Sequence, residues 1–297
     1  MMNKIAITGS SGFVGSVMKK ILTIPDSLCF DIQKGDDITL PSVTDTIIQR
    51  ADTIIHMGAI SGIAKCQKNP EEAKSINVEA TLTLAKKLKG REGVKRLIFF
   101  SSSAVYGEAQ DFVMDENHVA APRTAYGCMK LEAESILNMA SLDYPIIILR
   151  PSNIYGYGMT YKEGTVLSSF ISAYLENRPM TITGSGSQKR DFVHVIDVAR
   201  IVARLATAPT IRSGTYNLGG NETLSMRALA EMVNDVGDST LGYRVPVEYK
   251  SDANESLYHD FRYSCDKAKQ HFQYEPRINL RYAITERMLM HLRRVDR

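Results

Sequence analysis

The sequence predicts an α/β fold, with a doubly wound parallel sheet and a smaller mixed C-terminal unit. Three observations lead there: short apolar runs alternate with longer segments of helical period, a glycine-rich turn joins the first run to the first helical segment, and the regularity ends at Arg150 and Pro151. Such alternation implies βαβ units, and runs that are apolar nearly throughout and rich in Ile imply strands buried on both faces.

Taken in order, KIAIT is the first strand and is followed by a helix over 13–22. SLCF is a short second strand, with a helix over 41–50. TIIHM, a helix over 71–89, RLIFF, a helix over 124–140 and PIIILR complete the alternating half. Beyond Pro151 come a Gly and Tyr cluster from Tyr155 to Tyr161, a helical segment over 165–178, the short run TIT and the turn GSGS. Neither an internal repeat nor a Pro/Ser-rich linker separates the halves, so they are expected to pack tightly around a cleft.

With 297 residues, 44% hydrophobic and 23% charged, the chain can bury a full core without staples. A formal net charge of +3, with no block of like charges, argues against a nucleic-acid partner. Cys29, Cys66, Cys128 and Cys265 are widely spaced, which argues against a zinc site and a disulfide framework and fits a reducing cytoplasm. The sequence has no N-terminal leader and no apolar run long enough for a membrane span, so a cytoplasmic protein is expected.

Directly after the first strand, TGSSGFVG places Gly9, Gly12 and Gly15 three residues apart where strand gives way to helix. Gly9 permits the tight turn, Gly12 lets the backbone approach a pyrophosphate, and Gly15 lets helix and strand pack closely. The amides of Phe13 and Val14 open the helix, where its N-terminus favours anions. The bland alternative is an ordinary glycine turn. Asp31, at the end of SLCF, argues against that: an acid there accepts hydrogen bonds from a ribose 2′-hydroxyl and repels a 2′-phosphate. NAD is therefore expected over NADP, with Lys34 as the feature that points the other way and a simple turn cap as the alternative role for Asp31.

RLIFF runs into SSSAVYG, and YGCMK then places Tyr126 and Lys130 four apart on one helix face. A phenol of ordinary pKa about 10 is a poor base near neutrality, and an adjacent ammonium favours its ionised form. Tyr126 is thus the expected general acid/base, Lys130 its tuner and a ribose anchor, and Ser103 the group that holds the reacting oxygen. Chance alone supplies about one Tyr-x-x-x-Lys pair in a chain of this composition. The second pair present, Tyr263 with Lys267, follows no serine-ended strand and reads as surface chemistry.

Together, TGSSGFVG, Asp31, HMGAISG, Asn77 in SINVEAT, SSSAVYG, YGCMK, LRPSNIYG and RDFVHVIDVA resemble the extended short-chain dehydrogenase/reductase family, nucleotide-sugar epimerases in particular. The resemblance implies a Rossmann-type sheet and NAD as cofactor. It places Asp37 and Ile38 near the adenine, Met57, Gly58 and Ala59 beside the cofactor backbone, Ser101 at the cofactor and Asn77 near the active site. By the same resemblance Asn153 and Arg190 contact the diphosphate of a nucleotide-diphosphate sugar, a role the guanidinium fork suits. A salt bridge from Arg190 to Asp191 or Asp197 is the alternative. It further implies an NAD-binding unit of residues 1–156 plus about 190–218, a sugar-binding unit of about 157–189 plus 219–297, and a homodimer through helices 71–89 and 124–140. One departure stands out: where many such epimerases carry a second diphosphate arginine this chain has Asn254, leaving Arg244 or Arg262 to substitute.

Relatives that eliminate water usually carry an Asp-Glu pair after the catalytic hydroxyl, and here Ala104 and Val105 follow. Elimination then lacks its proton donor and acceptor. A 4-epimerase and a 4-keto-sugar reductase both use the trio, and Asp31 favours the NAD-dependent epimerase. Proteins of this fold that bind dinucleotide without turning it over typically lack the tyrosine or lysine, and both are present here.

Overall fold

The computed structural model describes residues 4–108, 112–156, 165–251 and 262–295. The chain runs β1 (Ile5–Thr8), α1 (Phe13–Ile21), β2 (Cys29–Phe30), α2 (Pro41–Arg50), β3 (Thr53–His56), α3 (Ile63–Lys68), α4 (Pro70–Lys74), α5 (Ala80–Leu88), β4 (Arg96–Phe100), β5 (Val113–Met114), α6 (Ala125–Met139) and β6 (Ile146–Pro151). It continues through β7 (Asn153–Tyr155), α7 (Val166–Leu175), β8 (Met180–Thr183), β9 (Lys189–His194), α8 (Val195–Thr207), β10 (Gly214–Leu218), β11 (Thr223–Ser225), α9 (Met226–Leu241), β12 (Val247–Lys250), β13 (Arg262–Tyr263), α10 (Asp266–Phe272) and α11 (Leu280–Val295).

Six strands form the central sheet in the order β10-β6-β4-β3-β1-β2, with every neighbouring pair parallel. Alternation along each strand feeds two cores. Ile5 and Ile7, Ile98 and Phe100, and Ile147 and Leu149 enter the core shared with α1 and α8. Ala6, Ile54, Leu97, Phe99 and Ile148 enter the one beneath α2, α5 and α6. Both faces are covered, which is why these strands read as continuous apolar runs. Between β2 and α2 the segment Ile32–Lys34 is a single 3-10 turn.

Helix ends follow local chemistry. Thr124 caps α6 by accepting from Gly127 N–H at 3.1 Å, and Thr165 and Ser168 form a reciprocal capping box on α7. The expected helix over 71–89 is one helical run, with a π turn at Ser75–Glu79 between α4 and α5. That wider turn carries Asn77, and such turns recur at functional sites.

A third core gathers α7, α9 and α11 against β8 and β9. β9 joins the regions, since Phe192 packs in this core and Val193 in the sheet's core. Ala268 and Phe272 of α10 also pack in the sheet's core. Among the described residues, no helix is long and apolar enough to cross a membrane.

Candidate active site

The chain order reverses beside β1, whose neighbours are β2 and β3, and ligands of open parallel sheets bind in the crevice at such a switch point. The loops leaving β1 and β3 meet there: a Cβ on Gly9, which has φ +73°, would lie 3.0 Å from Gly58 N. On Gly15 a Cβ would lie 2.1 Å from the Gly9 carbonyl, so only glycine lets α1 pack against the turn. Gly12 caps α1 without a side chain, leaving the first-turn amides, Phe13 and Val14 among them, without intrahelical partners.

Asp31 is buried and accepts from Ser11 N–H at 2.9 Å and Gln33 N–H at 3.0 Å, one on each oxygen. Each oxygen keeps capacity for a further donor. Lys34, which pointed toward NADP, is instead paired with Asp26 at 2.8 Å. Asp37 closes a turn with Thr39, and the Ile38 side chain lies over Gly58, 2.7 Å from where a Cβ would stand. Met57 and Gly58 anchor to Thr8 through their amides, with Ala59 partly exposed beside them. Asn77 holds the next residue through both ends of its amide: Oδ1 accepts from Ile60 N–H at 2.8 Å and Nδ2 donates to Ile60 O at 3.1 Å. A dinucleotide fits this cradle, for besides the open amides and spare carboxylate capacity, the buried Ser10 hydroxyl has no hydrogen-bond partner among the described residues.

On the other side of the crevice, α6 brings Tyr126 and Lys130 to one face. Of the three serines, Ser102 is the one that acts on the phenol, favouring its ionised form. Ser102 precedes the 3-10 turn Ser103–Val105 and accepts from Ala104 N–H at 3.2 Å, while Ser103 is the first residue of that turn. Ser103 is the serine the sequence favours, and three successive serines carry no local signal that separates them. The Ser101 hydroxyl turns away to donate to Glu134.

Lys130 is buried, donates from Nζ to Phe100 O at 2.8 Å and stands 4.9 Å from the Phe99 ring centroid. Burial pulls its pKa down to about 8, against the opposing charge of Glu134. Burial likewise pushes the Tyr126 phenol up to about 12, opposed by the influence of Ser102. The Lys130 ammonium was expected to lower the phenol, whereas burial sets the direction of its shift. Behind the pair, Arg150 forks onto Glu134 with Nε at 2.9 Å and Nη2 at 2.6 Å, a buried clamp that no motif flagged.

Toward the third core, Asn153 and Arg190 are both exposed, and Asn153 donates to Asp191 O at 2.9 Å. Asp197 pairs with Arg200 at 3.4 Å, and Asp191 accepts from Gly220 N–H at 3.0 Å. Of the substitutes for the second arginine, Arg244 is held by Glu231 and Asp235 on α9, and Arg262 pairs with Asp266 at 3.4 Å. Asn254 lies outside the described residues. Tyr263 corrects the sequence reading: rather than surface chemistry, it is 2% exposed, with its hydroxyl 2.7 Å from Arg150 O and 3.0 Å from Asn217 Oδ1. A two-residue strand was too short to reveal that.

Residues 5–219 match the model of the NAD dependent epimerase/dehydratase family. The chain belongs to that family. Within it, a putative UDP-glucose 4-epimerase of Methanocaldococcus jannaschii is 29% identical over 94% of this chain and 95% of its own. The uncharacterized UDP-glucose epimerase YtcB of Bacillus subtilis is 27% identical over 95% of this chain and 96% of its own. Among solved structures, MoeE5 in complex with UDP-glucose and NAD superposes with a TM-score of 0.81 at 26% identity, covering 99% of this chain and 100% of that one. Family membership makes this an NAD-dependent enzyme of the extended short-chain dehydrogenase/reductase class with a Rossmann-type sheet.

Proposed function

We propose that this chain is an NAD-dependent nucleotide-sugar 4-epimerase, of the UDP-glucose/galactose type or an N-acetyl relative. The observation that carries the reading is the pairing on α6 of Tyr126 with a buried Lys130, with Ser102 acting on the phenol, beside a cradle fitted to a dinucleotide. The relatives' UDP-sugar names and the UDP-glucose in the MoeE5 complex support the substrate class. Epimerisation is favoured over elimination because none of Ser103, Ala104 and Val105, which follow Ser102, is a carboxylate that could serve as the added acid or base.

When bound, NAD supplies the capacity to take a hydride from the sugar's C4 and return it. The chain's own residues hold the sugar and move the proton. Tyr126 takes the proton of the 4-hydroxyl and gives it back, Ser102 would hold the reacting oxygen near the phenol, and Lys130 provides the positive charge that favours the phenolate. Gly9, Gly12 and Gly15 with the amides of Phe13 and Val14 would hold the pyrophosphate, and Asp31 the adenosine ribose. Asn153 and Arg190 would meet the sugar's diphosphate, with Arg262 as the second cation. The sugar lies between an NAD-binding unit, residues 1–156 plus about 190–218, and a sugar-binding unit formed by the rest. Two copies pair through the neighbouring helical stretches 71–89 and 124–140.

The test is incubation with catalytic NAD⁺, and no reductant, against a panel of UDP-, GDP- and dTDP-sugars, with products resolved by chromatography and NMR. A C4 epimer without net NADH is the expected product. If the panel comes back unchanged while 4-keto sugars are reduced at the expense of NADH or NADPH, the epimerase reading is wrong.

A further inference from the structure

His56 ends β3 and is 2% exposed, yet both of its ring nitrogens are engaged. Nδ1 lies 2.8 Å from Thr8 Oγ1, and Nε2 lies 3.2 Å from Thr81 Oγ1. A neutral imidazole has one donor and one acceptor, and its partners decide which is which. Thr8 Oγ1 already accepts from Met57 N–H at 3.1 Å and Gly58 N–H at 2.9 Å, which fills its two lone pairs. Its own proton must therefore go to Nδ1. At the far side Thr81 donates to the Asn77 carbonyl at 3.2 Å and so accepts from Nε2–H. Every group is satisfied in a single direction, from the Met57 and Gly58 amides through Thr8, His56 and Thr81 to Asn77. Thr8, Thr81 and Asn77 are each 1% exposed, so no water relieves a mismatch. The Asn77 amide then closes on Ile60, leaving residues 57–60 strung between Asn77 and the strand end that leads into Gly9.

We propose that His56 is a positioning residue for the cofactor: as the neutral Nε2–H tautomer it locks residues 57–60 against the glycine loop and thereby sets how tightly the dinucleotide is held. A protonated ring would aim a second donor at the Thr8 hydroxyl, whose lone pairs are already filled. It would also add a cation near Lys130, which stands against the same Phe99 ring, 5.8 Å from that of His56. From β1 and α5 the ring meets hydroxyls only, and Lys130 is the charged group that acts on it. Burial first, and Lys130 second, hold its pKa down to about 3.

The proposal rests on the family's use of NAD and not on the choice of sugar, so its test needs no sugar. In the full chain labelled with ¹⁵N-histidine, long-range ¹H–¹⁵N spectra report each ring's tautomer, and the signal lost in His56→Asn assigns the ring. The Nε2–H tautomer should persist from about pH 5 to 9. A ring protonated at Nδ1, or one titrating within that range, would overturn the proposal. Calorimetric titration with NAD⁺ supplies the functional arm: Thr81→Val, which removes the acceptor for Nε2–H, should weaken binding by about tenfold, and Thr81→Ser should restore it. Undiminished NAD⁺ affinity in Thr81→Val would equally refute it. The tautomer is read on the unaltered chain, so a Thr81→Val variant that fails to fold leaves that test standing.

Discussion

Ser102, just before the turn that Ser103 begins, acts on the Tyr126 phenol and favours its ionised form. A donor fixed at the reacting oxygen is worth most in the transition state, where negative charge develops on that oxygen. Ser102→Ala should therefore lower kcat by about 10²-fold, and Ser103→Ala should stay within about threefold of the parent, its role being confined to the turn. Steady-state rates of the two variants decide the assignment, and the reverse ranking would return it to Ser103.

Tyr126→Phe removes the proton carrier and little else. Turnover should fall by about 10²- to 10⁴-fold, the usual worth of general acid/base catalysis. NAD⁺ affinity, measured calorimetrically, should remain close to that of the parent. Full turnover in this variant would assign the proton transfer to another group.

Burial lowers the Lys130 ammonium from an ordinary 10.5 to about 8. Between those values the unfolded chain binds a proton that the folded chain does not, so this residue makes stability rise with pH across that window. Below about 8 both states are protonated and its contribution is constant. Comparing Tm of the parent and Lys130→Met from pH 8 to 10.5 isolates the effect from the buried thiols and phenols, whose raised values act in the opposite sense. The parent should gain on the variant as pH rises; a constant difference would mean that Lys130 keeps its ordinary affinity for protons.

Glu134 and Arg150 form a buried, two-pronged ion pair joining α6 to β6. Deleting one partner strands the other charge, so Arg150→Met should cost about 3–5 kcal/mol in chemical denaturation. The double variant Glu134→Leu with Arg150→Met should recover much of that loss, because no unpaired charge remains. Additive losses would show that the two side chains act separately.

Asp31→Ala should weaken NAD⁺ binding by about tenfold while improving the relative affinity for NADP⁺, since the carboxylate is both the ribose acceptor and the group that repels a 2′-phosphate. Parallel titrations with the two dinucleotides measure it. An unaltered ratio would place the ribose elsewhere.

The sheet was legible because its strands are buried on both faces and therefore read as unbroken Ile-rich runs, and the cradle was legible because glycine spacing and a strand-end acid are local signals. Position within a motif was harder. Ser101, Ser102 and Ser103 differ only in which way the chain turns after Phe100, and that is set by packing beneath Ala104 and Val105. Contacts across long separations left no local trace: Thr8 and Thr81 meet on His56, and Glu134 meets Arg150, through the parallel register that brings β1, β3, β4 and β6 together. The expected effect of Lys130 on Tyr126 was read from spacing, whereas burial, which outweighs it, is a property of the folded chain.

The central claim is that one carbon loses a hydride and receives the same hydride back. The most direct measurement is turnover of the nucleotide sugar in D₂O with catalytic NAD⁺, with C4 and C5 of the product read by NMR. An inverted C4 that still carries protium, no deuterium at C5 and no accumulated NADH are the expected results. Solvent deuterium at either carbon, or NADH formed in step with product, would contradict the claim.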